Sequence, residues 1–450
     1  MDLMELDKKV LWHPYTQMKD FEKEPLLFVD RADGVFLYDK EGRAYYDCIS
    51  SWWCIVHGHN HPRINAAIRS QIGRLEQVHF AGTTHEGAIR LAKRLVEIAP
   101  PNLTRVFYSD NGSTACEVAI KMSFQFWKQT GQPKREKFIA LDRGYHGDTI
   151  GTMSVGGTAG FHSMFSPLFF ETYRLPSPYC YRCPCERQGP HDCELECLLP
   201  LETILNDHGE NIAGIILEPL LQAAGGMIVY PVRYIKKLAG LTKKQGMHLI
   251  FDEVATGFGR TGSMFALEHA GVEPDFLCLS KGLTGGYLPM AATLTTDRVF
   301  DAFYDSYEKG KTFFHGHTFT GNPLAVASAL ASLEIFEHEA VLEKVGDTVK
   351  FLQREKERAR ELPIVGDVRG IGMVAAFELV EDRISKKPFP SKARIGWHVY
   401  MEGLKKGLII RPLGDIIYLF LPLSVTIDEI KDILERLFSV LSSIRGAHYE

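Results

Sequence analysis

The sequence lacks the features that would direct it to a membrane, to secretion or to a nucleic acid. No apolar run approaches the roughly 20 residues that cross a bilayer. The acidic start, residues 1–7, has neither the basic nor the apolar region of a signal peptide. The net charge is only -5, so nothing indicates a polyanionic partner. We therefore expect a cytoplasmic protein that binds neither membranes nor nucleic acids.

Cysteine is scarce, with nine residues in 450. An odd number in a chain of this length does not make a disulfide scaffold, which indicates a reducing compartment. Four thiolates could hold zinc or an iron–sulfur centre, and a reduced surface loop is the alternative. Because the spacing in the one dense cluster fits zinc only loosely, we predict no metal. That cluster lies in a proline-rich insertion and consists of Cys180, Cys183, Cys185, Cys193 and Cys197.

No internal repeat, low-complexity tract or nucleotide-binding glycine fingerprint is found. Instead, short runs that are apolar throughout alternate with helical patterns between about residues 65 and 335. Such runs are typical of strands in a sheet covered on both faces. The pattern predicts an α/β domain with a mainly parallel sheet and a ligand site at the carboxyl ends of its strands. The runs lie at 106–108, 138–141, 215–217, 249–251, 276–279 and 291–294.

The two ends of the chain have a different character. Residues 1–34 read as irregular, and the first strand is expected at 35–39. After about residue 335 a charged helical pattern is followed by short apolar runs, which indicates a second, α+β unit. We therefore predict a large domain at 65–335 and a small domain at 336–450, completed by residues 1–64.

Lys281 and Asp252 each follow one of the predicted strands, so both should lie at the ligand-binding edge of the sheet. This pair is what a pyridoxal phosphate (PLP) enzyme needs. The lysine amine attaches the cofactor covalently through its aldehyde, and the carboxylate keeps the pyridine nitrogen protonated. A surface lysine and a helix-capping aspartate are the alternative interpretation of the two residues taken singly.

Two further segments suit the same cofactor. Gly112 and Ser113 lie between a strand and a helix, where free N–H groups and the helix dipole favour a phosphate, although an ordinary helix cap is the alternative. Tyr145 follows another strand and could lie flat on the cofactor ring or be a buried structural residue. Thr318, in a glycine-rich polar segment, could donate to the phosphate. The histidines of that segment do not match a zinc motif.

Together these segments resemble the class III aminotransferases of the fold-type I PLP-dependent transferases, over nearly the whole chain. The stretches at 251–262 and 279–285 are the most specific. The resemblance implies a mainly parallel seven-stranded sheet plus a smaller α+β domain, and a homodimer with active sites at its interface. It also implies catalytic roles for Lys281 and Asp252. The implied cofactor contacts are Gly112, Ser113, Tyr145, Asp252, Val254 and Lys281, with His317 and Thr318 reaching from the neighbouring subunit.

Four segments, at 11–18, 50–53, 57–62 and 411–415, resemble the biotin-pathway members of this family, which aminate 8-amino-7-oxononanoate. That substrate is a long aliphatic chain with a terminal carboxylate. It needs an apolar aromatic wall, for which we expect Trp52 and Trp53, and a fixed cation, for which we expect Arg411. Adjacent strand residues point to opposite faces, so at least one of the two tryptophans should be core, and the resemblance favours Trp52 for the substrate. Tyr15 is expected to close the pocket as a catalytic residue. Tyr145, Lys281 and Gly316 complete the implied substrate contacts.

The amino donor stays open between S-adenosylmethionine and L-lysine. His317 stands where members that use S-adenosylmethionine carry proline, and it is more similar to lysine-using relatives. A second reading is another class III ω-aminotransferase that acts on ornithine, a diamine or 4-aminobutyrate. A third is a non-catalytic metal-binding protein, supported only by the cysteine cluster.

Overall fold

The computed structural model describes residues 2–22, 27–187 and 193–444. The strands of this part of the chain are β1 Val29–Asp33, β2 Phe36–Asp39, β3 Ala44–Asp47, β4 Arg105–Ser109, β5 Lys137–Leu141, β6 Thr172–Leu175, β7 Ile212–Leu217, β8 Leu221–Gln222, β9 Ile228–Val229, β10 His248–Asp252, β11 Phe276–Leu279, β12 Ala291–Thr295, β13 Val365–Ile371, β14 Val374–Leu379, β15 Leu408–Ile409 and β16 Ile416–Phe420.

The helices connect and cover these strands. They are α1 Leu3–Val10, α2 Met18–Phe21, α3 Ser50–Trp53 (a left-handed turn), α4 Pro62–Ile72, α5 Glu86–Ile98, α6 Gly112–Gln129, α7 Ile150–Val155, α8 Ala159–His162, α9 Leu199–His208, α10 Val232–Gln245, α11 Asp297–Asp301, α12 Pro323–His338, α13 Val341–Glu355, α14 Ile395–Lys405 and α15 Ile427–Ser443. Short 3₁₀ turns lie at Ser163–Leu168, Glu196–Leu198, Gly209–Asn211, Ala266–His269, Lys281–Thr284, Tyr307–Lys309, Lys356–Glu361 and Ser391–Ala393.

The predicted mainly parallel sheet is confirmed. Seven strands pair in the order β4-β12-β11-β10-β7-β5-β6. Only β12 runs antiparallel to its neighbours in this sheet. All six apolar runs singled out in the sequence are strands of it. The seventh, β6, escaped detection because its sequence Thr-Tyr-Arg-Leu is partly polar and it lies at the sheet edge, half-buried.

Helix α6 follows β4 and packs beneath the sheet. Asn111 caps its first turn by accepting from the Thr114 N–H at 3.0 Å. Its apolar face, including Val118, Met122 and Phe126, is buried against the strands. This burial drives the helix onto the sheet and brings its N-terminus to the edge where the strands end.

The expectation of an irregular start was wrong for several stretches. Residues Leu3–Val10 are helical, and Val29–Asp33 forms a strand antiparallel to β2. The sequence Val-Asp-Arg-Ala-Asp gives no apolar signal because this strand is almost wholly exposed. Strand β3 then pairs in parallel with β15, with Asp47 opposite Ile409, so the start of the chain is joined to the C-terminal region.

The C-terminal region forms a further sheet in the order β13-β14-β16. It contacts α13 through the Gln353 amide, which donates to Val374 O, and α15 through the ring pair of Phe377 and Phe438. Its first two strands turn at Gly372, whose φ of +56° favours glycine. A Cβ there would lie 2.2 Å from the carbonyl oxygen of Arg260.

In the described residues, no helix combines the length and apolarity that a bilayer crossing requires.

Candidate active site

A cavity of about 870 Å³ opens at the carboxyl ends of the large sheet. Its inner half is lined by groups at strand ends, and we define it by Lys281, Asp252, His146 and Glu218. Its outer half is formed by segments far apart in the sequence, and we define it by Tyr15, Trp52, Asp148 and Arg411. The two halves together contain most of the residues singled out from the sequence.

Lys281 lies at the floor of the cavity, directly after β11. Its φ is +44°, a strained value for a residue with a side chain. Its Nζ lies 5.0 Å from the centre of the Trp53 ring. Burial lowers the pKa of the amine below its ordinary 10.5, although the charges of Asp252 and Glu218 oppose the shift. A lower pKa leaves more of the neutral amine that a nucleophile or base requires.

Asp252 ends β10 and is buried beside His146. Its Oδ2 accepts from His146 Nδ1 at 2.8 Å and its Oδ1 from the Val254 N–H at 3.0 Å. Each carboxylate oxygen therefore keeps a free lone pair for a ring nitrogen above it. A ligand atom of Cys116 lies within 4.8 Å of both partners. The hydrogen bond from His146 therefore fixes the orientation of the Asp252 carboxylate beneath the cavity.

Glu218 lies beside the same carboxylate and was not among the predicted site residues. It accepts from the Tyr145 N–H at 3.2 Å and the Ala223 N–H at 3.0 Å. Burial, reinforced by the charge of Asp252, raises its pKa from 4.5 to about 8. The inner half thus contains a second acid, Glu218, whose raised pKa favours its neutral form.

The start of α6 forms a cradle of backbone N–H donors, the kind of group that binds phosphates. The first N–H groups of a helix have no intrahelical acceptor, and those of Gly112 and Ser113 lie at the cavity wall. A Cβ on Gly112 would lie 2.5 Å from Val254 Cγ1, so only glycine lets the start of α6 pack this closely against Val254. The cradle, the buried carboxylate and the lysine fit PLP.

Tyr145 lies between the halves, and its ring stacks on His162. Its hydroxyl donates to Asp148 Oδ2 at 3.0 Å, and the Tyr15 hydroxyl donates to the same carboxylate at 2.7 Å. Burial raises the pKa of Tyr15 to about 12. Burial acts to raise the pKa of Asp148, but hydrogen bonds from His162, Tyr15 and Tyr145 outweigh it and bring it below its usual value. This half-exposed anion was missed in the sequence.

Trp52 and Trp53 do not lie on a strand, which corrects the reason given for their opposite orientations. They belong to a left-handed turn in which Ser50, Ser51, Trp52 and Trp53 have φ values of +50°, +43°, +72° and +71°. Left-handed geometry costs roughly 1–2 kcal/mol per residue with a side chain. The turn leaves Trp52 42% exposed at the outer half and buries Trp53 to 5%.

Arg411 provides the positive charge of the outer half. Its guanidinium lies 5.0 Å from the centre of the Trp52 ring and donates to the carbonyl of Tyr15 at 2.8 Å. Among the described residues, no carboxylate forms an ion pair with it. A guanidinium that lies next to an aromatic ring and forms no ion pair is suited to binding the carboxylate of a ligand.

The segment around Thr318 lies outside this cavity in the described chain. Gly316 and Thr318 are exposed, and His317 pairs with Asp110 through Nδ1 and Oδ2 at 3.5 Å. Asp110 itself lines the cavity, so the segment lies near its rim. The cofactor and substrate contacts expected from this segment remain predictions.

The cysteine cluster does not assemble a site in the described residues. No three of its five thiols lie within 4.8 Å of one another there, although all five residues are described. The surrounding insertion instead contacts the C-terminal sheet, where Arg182 Nε donates to Glu378 Oε1 at 2.7 Å.

Comparison with known proteins defines the class. The model of the family described as Aminotransferase class-III matches residues 18–441, and the chain belongs to this family. It is an aminotransferase, and members of the family use PLP. The chain is 48% identical to the adenosylmethionine-8-amino-7-oxononanoate aminotransferase of Geobacter sulfurreducens, over 99% of this chain and 98% of that one.

Solved structures give the same result. The corresponding enzyme of Methanocaldococcus jannaschii has a TM-score of 0.92 at 42% identity, covering 98% of both chains. The ω-transaminase of Pseudomonas jessenii in complex with PMP has a TM-score of 0.93 at 33% identity, again covering 98% of both. The expected fold-type I architecture is thereby confirmed.

The functional groups that sequence reasoning missed fall into two kinds. Glu218 follows β7, so the rule that found Asp252 would have found it. His146 and Asp148 flank the quoted Tyr145, but nothing in the sequence indicates which of these neighbours points into the cavity. Their positions depend on the loop conformation after β5.

Proposed function

We propose that this enzyme transfers an amino group to 8-amino-7-oxononanoate, forming 7,8-diaminononanoate for biotin synthesis, with PLP as the carrier and S-adenosylmethionine as the donor. One observation carries the proposal: a lysine on the cavity floor and an unneutralised arginine at its mouth are separated by an aromatic wall. The acceptor has a ketone towards one end and a carboxylate at the other, joined by an aliphatic chain, which matches this order of functional groups.

The bound cofactor would supply an electron sink and carry the amino group between the two half-reactions. Its phosphate would be held by the N–H groups of Gly112 and Ser113, and its ring would lie between Val254 and Tyr145. Asp252 would accept a hydrogen bond from the pyridine nitrogen. Lys281 would attach the cofactor between turnovers and, once released, take the proton from the donor α-carbon.

The donor is proposed from the charge of the outer half. Asp148 accepts hydrogen bonds from the hydroxyl groups of Tyr15 and Tyr145, and its lowered pKa keeps it anionic. An anion with an aromatic neighbour suits the sulfonium and ammonium groups of S-adenosylmethionine. The names of the Geobacter sulfurreducens and Aquifex aeolicus relatives, each 48% identical, support this donor. L-Lysine stays the alternative because His317 is present.

We also propose a homodimer that places Thr318 of one subunit near the cofactor phosphate of the other. Several large aromatic side chains are exposed in the stretch 304–319, which contains Thr318, and such exposure is unusual for the surface of a monomer. They are Tyr304, Tyr307, Phe314 and Phe319, at 77%, 87%, 81% and 59% exposure. Nine cysteines without a disulfide fit a cytoplasmic location.

The proposal is tested with two separate half-reactions of the purified holoenzyme. Adding S-adenosylmethionine or L-lysine alone should remove the visible absorbance of the lysine-attached cofactor, and 8-amino-7-oxononanoate should then restore it. The compound that removes the absorbance is the donor. Bleaching by ornithine or 4-aminobutyrate, with no response to either expected donor and no recovery with the ketone, would contradict the biotin-pathway assignment.

A further inference from the structure

The left-handed turn that carries Trp52 and Trp53 cannot be held by its own bonds alone. Four consecutive residues with side chains have φ between +43° and +72°. Across the turn, the Trp53 N–H donates to Ile49 O at 2.8 Å, and the Cys54 and Ile55 N–H groups donate to Ser50 O at 2.9 and 3.0 Å. These three bonds do not compensate four strained residues, so neighbouring groups must over-determine the conformation.

Asp47 supplies one of these supports. Its side chain is fully buried, and its Oδ1 accepts from the Ser51 N–H at 2.9 Å. Its Oδ2 accepts from the Ser51 hydroxyl at 2.7 Å and from His59 Nε2 at 2.8 Å. The carboxylate thus fixes both the backbone and the side chain of Ser51, the second residue of the left-handed stretch.

Arg260 supplies the opposing support. It is 1% exposed and donates to the carbonyls of Trp53 at 3.1 Å and Ile55 at 2.6 Å. The turn is therefore held by a buried anion on one side and a buried cation on the other. Neither group needs to touch a ligand for this function.

The backbone at Asp47 is paired with the strand that leads to Arg411. Asp47 pairs with Ile409 in the parallel β3–β15 ladder, and the Cys48 N–H donates to Ile409 O at 3.1 Å. Arg411 follows two residues later, and its guanidinium faces the Trp52 ring at 5.0 Å. The position of Asp47 thus determines how the aromatic wall lies relative to the cation.

We infer that Asp47 is a positioning residue for substrate selection: by holding Ser51 in the left-handed turn it fixes Trp52 against Arg411 and so sets the affinity for the carboxylate end of the acceptor. The inference rests on the proposed function for its acceptor. Asp47 does not contact the cavity, so its effect passes through the turn.

The test compares Asp47→Ala with Asp47→Ala/Ser51→Gly in the holoenzyme. Asp47→Ala should raise KM for 8-amino-7-oxononanoate about tenfold or more, with little change in the donor half-reaction. Glycine adopts positive φ without a steric cost, so the double variant should recover part of the loss. Asp47→Asn, which can still accept from the Ser51 N–H, should lie between wild type and Asp47→Ala.

Asp39→Ala is the matched control. Asp39 ends the neighbouring strand β2, is 5% exposed and accepts from Arg43 N, Arg43 Nε and the Tyr45 hydroxyl, but it does not touch the turn. This variant should leave KM unchanged. If Asp39→Ala and Asp47→Ala raised KM equally, or if Ser51→Gly deepened the loss, the inference would be overturned.

Hydrogen exchange gives a readout that does not depend on the substrate. Amides 53–55 should exchange faster in Asp47→Ala and be slower again in the double variant. Unchanged exchange in Asp47→Ala contradicts the inference even if wild type uses a different acceptor.

If Asp47→Ala does not fold, the comparison of Ser51→Ala with Ser51→Gly tests the inference instead. Both lose the hydroxyl bond, and only the alanine keeps the strain, so faster exchange in the glycine variant would contradict the inference.

Discussion

The inner and outer halves of the cavity are built in opposite ways. Asp252, His146 and Glu218 are 3–4% exposed and follow strands of one sheet. Tyr15 and Trp52 are 44% and 42% exposed and come from segments outside that sheet. Groups on a rigid sheet hold a fixed chemistry, whereas groups on turns and chain ends can differ between relatives. We therefore propose that the inner half carries out the reaction and that the outer half selects the substrate.

Changing the inner half at Lys281 should have the largest effect. Lys281→Ala removes both the covalent attachment and the base, so kcat should fall by at least about 10⁴-fold. The cofactor should stay bound without the absorbance of its lysine-attached form. Both are measured by steady-state turnover and a visible spectrum. Lys237→Ala, at an exposed ion pair with Glu202, is the control and should keep wild-type turnover.

Asp252→Asn should be the next largest loss. The amide cannot keep a pyridine nitrogen protonated, and removal of one preorganised electrostatic contact costs about 10²–10³-fold in kcat. Single-turnover rates with the donor would measure it. Asp275→Asn is the matched control, because Asp275 is a half-buried acid at the opposite end of the strands that accepts from the Leu249 N–H. A comparable loss in both variants would refute the special role of Asp252.

The adjacent residues Trp52 and Trp53 should affect different properties of the enzyme, although they lie in one turn. Trp53→Ala empties a buried site and should cost about 3–5 kcal/mol of the free energy of unfolding. Trp52→Ala should change stability little and raise KM for the acceptor by about 2- to 13-fold, the range for an aromatic contact. Denaturant unfolding and acceptor kinetics on both variants measure the difference. A larger stability loss in Trp52→Ala would reverse the assignment.

Glu218 should give the smallest effect, visible as a pH dependence. Its folded pKa of about 8 lies above the ordinary 4.5, so the folded protein retains a proton that the unfolded chain releases. The free energy of unfolding therefore falls as pH rises from 4.5 to about 8. Glu218→Gln should flatten this fall, measured as Tm against pH. Exposed Glu210→Gln should follow wild type, and an equally steep fall in Glu218→Gln would be contrary to the prediction.

The same division explains what could be predicted from the sequence. Lys281 and Asp252 were found because apolar runs mark the strands and polar residues mark their ends. Trp52 was named only through a family resemblance, since no periodicity encodes a left-handed turn of four residues with side chains. Asp148 was missed because the loop after β5 decides its direction. Local pattern thus predicts Lys281 and Asp252 of the inner half, whereas His146 and Asp148 depend on the loop after β5, and the rest of the outer half depends on contacts between distant segments.

The most direct test of this account pairs Arg411 with the carboxylate of the acceptor. Wild type and Arg411→Gln are each assayed for kcat/KM with 8-amino-7-oxononanoate and with its terminal carboxamide. Wild type should prefer the carboxylate by about 10- to 150-fold, the worth of charged hydrogen bonds. In Arg411→Gln the preference should fall close to one, with the donor half-reaction unchanged. If Arg411→Gln kept the wild-type preference, Arg411 would not bind the carboxylate of the acceptor, and the outer half would not select the substrate in the way proposed.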